Sequence, residues 1–174
     1  MKKSVGLWQL WGFVTVSLLG TLLHFLYEWT GESIWVAPIS GVNESTWEHM
    51  KLFFFPAVAF AVFENFFMRE RRDYWCIKLR GIILGLTLIP VIYYTYNGAV
   101  EKSPDWLNIS IFFISGAIAF IYEARQMRRR APVCTYPKLA IAVLCVLGAL
   151  FVIFTFAPPE IGIFIDPVSG ELGI

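Results

Sequence analysis

From Val5 to Leu23 the chain carries no charged residue and no histidine, and the run continues through His24 to Tyr27. A helix over that stretch, rising about 1.5 Å per residue, crosses a hydrocarbon core of about 30 Å. In such a solvent every backbone N–H and C=O must be satisfied internally, which leaves helices or closed barrels. Four further apolar stretches follow, and with 57% hydrophobic and 16% charged residues the chain has the composition of a bilayer protein. The prediction is an all-α, polytopic integral membrane protein: one transmembrane domain over 1–174, with helices at about 5–27, 47–68, 81–97, 106–123 and 139–157. An extracytoplasmic linker (28–46) and a C-terminal tail (158–174) complete it. Met1-Lys2-Lys3 before an apolar run resembles a signal peptide, but the run is long and lacks a small-x-small cleavage site, so it is read as a retained helix.

Of the 14 Lys and Arg residues, all but Lys51 and Lys102 fall at the N-terminus or in the second and fourth connections. The positive-inside rule then puts the N-terminus in the cytoplasm and the C-terminus outside. Most of the acids, among them Glu28, Glu32, Glu44, Glu48, Asp105 and Asp166, lie on the outer side. A formal net charge of +1 gives no global basic field, and no nucleic-acid motif is present, so nucleic acid is not an expected partner. Cys76, Cys134 and Cys145 form no paired motif and read as packing residues.

Ionisable groups at membrane depth cost about 2.5–3.5 kcal/mol each on insertion scales and commonly mark function. On span one, Ser17, Thr21, His24 and Glu28 follow offsets of one helical face; on span two, Glu44, Glu48 and Lys51 repeat that pattern, with His49 on an adjoining row. Facing these flanks toward each other gathers two imidazoles, three carboxylates and an ammonium. The charges sum to minus two, which a divalent cation balances. His24, Glu28 and His49 are the candidate ligands of a divalent transition metal, zinc first; Glu44 and Glu48 are candidate general bases, and Lys51 a stabiliser of developing negative charge. The spacing matches no established zincin motif.

The same residues also suit helix-start chemistry. Asn43 can cap, Ser45-Thr46-Trp47-Glu48 fits a capping box, and Glu48 with Lys51 can form a local pair. Pro56 and Pro90 each free a carbonyl one turn earlier. Tyr93, Tyr94 and Asn97 bring polar groups to the outer end of span three, where tyrosines also serve as interfacial anchors. Glu64 reads as snorkelling or paired with Arg69. The linker over 30–42, containing Ile34, Trp35 and Ile39, is too apolar for a free loop and lies on or in the membrane. The tail is either a lid over the site, with Asp166 a minor site candidate beside Tyr93 and Asn97, or an interfacial strap.

His24-Phe25-Leu26-Tyr27-Glu28, the block Asn43-Glu44-Ser45-Thr46-Trp47-Glu48-His49-Met50-Lys51 and the ending Ile165-Asp166-Pro167-Val168-Ser169-Gly170-Glu171-Leu172-Gly173-Ile174 together resemble a family of small bacterial multispan membrane proteins catalogued only as a domain of unknown function. The resemblance covers the whole chain and implies a bacterial plasma membrane location; it carries no activity. From the residues, the leading expectation is a metal-dependent membrane hydrolase acting on a lipid-linked or peptide substrate. The alternatives are an ion or small-solute carrier and a non-catalytic accessory subunit. Membrane lipid is a partner in each, with an oligomer or a second membrane protein completing the accessory reading.

Overall fold

A computed structural model describes residues 2–68, 71–100, 104–129, 134 and 136–174. Its helices are α1 (Lys2–Trp29), α2 (Thr46–Asn65), α3 (Tyr74–Ala99), α4 (Asp105–Met127) and α5 (Pro137–Phe156). The described residues contain no strand; one isolated bridge, Ile165 to Leu172, closes the tail into a hook. Four helices, α1, α3, α4 and α5, are long and apolar enough to cross a membrane. The fifth, α2, carries Glu48, Lys51 and Glu64 and is the central element, packed against all the others.

Small residues set how closely the helices approach. On α1 the buried positions are Gln9, Gly12, Val16 and Gly20, one stripe at helical spacing, while Leu7, Leu10, Trp11, Leu18 and Leu22 point outward. A helix apolar all round and half uncovered suits lipid, because in water such a surface would associate. At Gly12 a Cβ would meet the rings of Phe60 and Phe120; at Gly20 it would meet Phe112 and the Leu52 carbonyl at 2.9 Å. That carbonyl is the one that Pro56 deprives of its helical N–H. Glycine lets the α1 backbone lie against it, where a weak Cα–H···O contact is available. Between the bundle's two ends the core is apolar, built from Val16, Phe53, Phe54, Phe60, Ile82, Leu86, Phe120 and Phe151.

Three sequence expectations change. Helix α3 begins at Tyr74, earlier than the predicted 81, because Lys78 is not a loop cation: it is buried between Glu64 and Glu123, 2.6 Å from a carboxylate oxygen of each. Gln9 donates to Glu64 at 2.6 Å and the Tyr74 hydroxyl lies 3.0 Å from it, so residues from four helices converge there. Glu64 is therefore fully enclosed and paired with Lys78; Arg69, its expected partner, lies outside the described residues. Arg71 stays in the connection between α2 and α3, from where its guanidinium caps carbonyls at the end of α4, those of Gln126 and Met127. Finally, Cys76 and Cys134 form a disulfide joining α3 to the α4–α5 connection, a pairing their separation of 58 residues gave no means to foresee; Cys145 is free and exposed.

Candidate metal centre

The end of α1, the start of α2 and the tail meet at one end of the bundle. Helix α2 is capped by Ser45, whose side chain accepts from the Glu48 N–H. Only half of the capping box forms, because the Ser45 N–H goes to the Asn43 side chain and the Glu48 carboxylate turns elsewhere. Glu44 thus precedes the helix, and the stripe joining it to Glu48 and Lys51 does not exist. Glu44 parts from the other two, which stay paired.

Glu48 and Lys51 go inward. Lys51 Nζ is 2.5 Å from Glu48, and it donates to the Ala37 carbonyl and to Thr155 Oγ1, each at 2.8 Å. All three ammonium protons are used. Glu48 also accepts from the Val42 N–H and lies 3.3 Å from the Thr155 hydroxyl. Both charges are essentially without solvent contact, so the catalytic roles expected of them find no support: the pair staples α2 to α5 and to the linker. The linker is itself folded onto α1, with Ser40 donating to the Leu23 carbonyl at 2.6 Å while Trp35 stands almost fully exposed.

Glu44 goes outward and meets the histidines. One carboxylate oxygen lies 3.6 Å from His24 Nε2 and the other 3.5 Å from His49 Nε2, with the two rings 5.5 Å apart. One ligating atom from each of the three residues lies within 4.8 Å of the others, and all three side chains are partly open to the outside. His49 Nδ1 is 2.9 Å from the Ser45 carbonyl oxygen. A carbonyl only accepts, so Nδ1 is the donor in that contact and Nε2 is left facing the carboxylate. A cation shared between that nitrogen and the carboxylate suits this arrangement. A proton would draw them to about 2.7–2.9 Å, as charge-assisted hydrogen bonds do. Two donors about 2.1 Å from a tetrahedral ion stand about 3.4 Å apart, close to both separations here.

Glu28, an expected ligand, is exposed at the end of α1 and outside this trio. Tyr93 lines a cavity of about 130 Å³ on the far side of Glu44 and His49, whereas Asn97 bonds back to the Tyr93 carbonyl of its own helix. Tyr94 lies 3.3 Å from Thr46 and donates to Gly162, tying α3 to the tail.

The tail hooks over the start of α2: the Trp47 N–H donates to Ile163, and Asn43 to the Gly173 carbonyl at 3.1 Å. Asp166 is its anchor, accepting from the backbone N–H groups of Val168 (2.7 Å), Ser169 and Glu44 (both 3.3 Å). Burial pushes its carboxyl upward, but these three N–H donors prevail and hold it below the usual aspartate value. The stabilisation is then complete above the unfolded value of about 4 and is lost as pH falls through the lowered folded one. Asp166→Asn is expected to reduce stability at neutral pH by about 1.5–3 kcal/mol, the worth of a hydrogen bond to a charged group, and to flatten the acid limb of a thermal melt series; an unchanged acid limb would refute this role.

No curated protein and no solved structure matches this chain. A family model matches it from end to end, over residues 1–174. The chain belongs to that family, a family of unknown function (DUF6512).

Proposed function

We propose that His24, Glu44 and His49 bind a divalent transition metal, zinc first, and that the protein is a metal-dependent membrane hydrolase. The observation that carries this reading is the pair of 3.5–3.6 Å separations between imidazole Nε2 atoms and one carboxylate, too long for ionic hydrogen bonds and suited to a shared ion. Two histidines and a glutamate with the fourth position open are a catalytic zinc set. Such an ion lowers the pKa of its water toward 7. With an ion held by His24, Glu44 and His49, that water would supply the nucleophile for hydrolysis at a carbonyl or phosphoryl centre, and Glu28, one turn beyond His24 and open to solvent, would be the acid on α1 to take its proton and return it to the leaving oxygen.

The setting proposed is a bacterial plasma membrane, with α2 as the fifth span, the N-terminus in the cytoplasm and the trio at the outer surface. The distribution of Lys and Arg supports that orientation, and the position of α2 inside the bundle supports its spanning.

Elemental analysis of purified protein is the test. Wild type is expected to hold one transition-metal ion per chain after loading with zinc, and the His24→Ala, His49→Ala double mutant to hold none while keeping its helical circular dichroism. A folded wild type that takes up no zinc sinks the reading.

A further inference from the structure

A groove of about 330 Å³ runs from the trio between α1, α2 and α4. Its polar end is made by His24, Glu44 and His49; the rest is chiefly Gly20, Leu52, Ile109, Phe112 and Phe113. On all three helices the order is the same. Gly20 lies one turn toward mid-bundle from His24, Leu52 one turn from His49, and Phe112 one turn from Asn108, which shares the polar end. The groove is amphipathic along its length, apolar toward the middle of the bundle, and it ends where Gly20 meets Phe112 and Leu52.

We infer that this groove receives one hydrocarbon chain of a membrane amphiphile whose polar head reaches the metal. The inference rests on the metal reading of the trio and narrows its substrate from lipid-linked or peptide to lipid. A peptide brings backbone N–H and C=O groups that need partners when buried. The walls offer little: the Thr21 hydroxyl is spent on the Ser17 carbonyl, and Asn108 is the other uncharged polar side chain. An alkyl chain needs no partner. Access is lateral, since Ile109 and Phe25 on the rim are exposed on faces of membrane-type helices. At roughly 30 Å³ for each group of water size the groove holds on the order of ten such groups, so it takes the head-proximal part of a chain. Transfer of a chain from lipid to this groove gains little from water exclusion, so the head-to-metal bond supplies affinity and the groove supplies selection.

The probes are lauroyl hydroxamate and acetohydroxamate, two metal-binding heads that differ in their chains, titrated against zinc-loaded protein in phosphatidylglycerol nanodiscs. Ile109→Trp fills the mouth from the lipid side, where the residue is exposed and its replacement leaves the core untouched. Bilayer partitioning of each probe is common to wild type and variant and cancels. The expected result is a loss of about tenfold in lauroyl hydroxamate affinity, about 1.4 kcal/mol, with acetohydroxamate binding and zinc content unchanged. Equal responses of the two probes, whether both unchanged or both weakened, overturn the inference while leaving the metal reading in place. Absence of zinc from the loaded wild type, measured before any probe is added, overturns both.

Discussion

Lys78→Met is expected to lower the stability of the purified protein by about 3–5 kcal/mol, the cost of removing one partner from a buried ionic set. Lys78 is the sole cation bonded to Glu64 and Glu123 among the described residues, and all three are buried at the end of the bundle opposite His24, Glu44 and His49. Without the ammonium, two carboxylates share a pocket whose other polar contacts are Gln9 and Tyr74. They must then repel one another or take up protons, so acidifying the variant is expected to recover part of the loss. The companion variant Glu64→Gln, Lys78→Met, Glu123→Gln removes every charge and is expected to recover most of it, because replacing a whole buried set is often neutral. Thermal melts in detergent across pH decide the matter: a single Lys78→Met variant as stable as wild type would show that the cluster contributes nothing. Gly81 belongs to the same device, since a Cβ there would collide with the Glu123 carboxylate and push it from Lys78.

The helices were legible in the sequence for a simple reason: an uncharged run of spanning length has few other uses. The ends were less legible, and Lys78 shows why. A cation at the edge of an apolar run reads as loop, and nothing in periodicity reveals that two other helices each bring a glutamate to meet it. Periodicity identifies a face but not what the face meets. The same limit governs the site. His24 and His49 were placed correctly on neighbouring flanks, because each lies inside its helix and obeys the 3.6-residue repeat. Glu44 was given a base's role on a stripe with Glu48 and Lys51. The Ser45 cap ends the helix before Glu44, so its direction is set by the Asn43 turn and by the backbone bond to Asp166 from the far end of the chain. Glu28 obeyed the repeat and still missed the trio, since the last turn of α1 carries it into the open. The Cys76–Cys134 bond and the Lys51–Thr155 contact join residues from different helices and connections, which only the folded bundle brings together.

Lys51→Met separates a structural lysine from a catalytic one, and the geometry commits to the first. The Lys51 ammonium has three donors and three acceptors, Glu48, Ala37 and Thr155, leaving none to meet charge developing at the trio. Removing it strands a buried Glu48 carboxylate and takes a donor from the Ala37 carbonyl, again a loss of about 3–5 kcal/mol. For a chain of this size that corresponds to a fall in melting temperature on the order of 10 °C. Because Glu48 and Lys51 point inward while His24, Glu44 and His49 gather at the surface, the proposed ligands are expected to stay in place below the new melting point. Zinc content measured there is expected to match wild type, whereas His24→Ala, His49→Ala shows the reverse pattern, with zinc lost and the melt little changed. A Lys51→Met protein that melts like wild type would contradict the staple. One that loses zinc while still fully folded would place Lys51 in the proposed metal site after all.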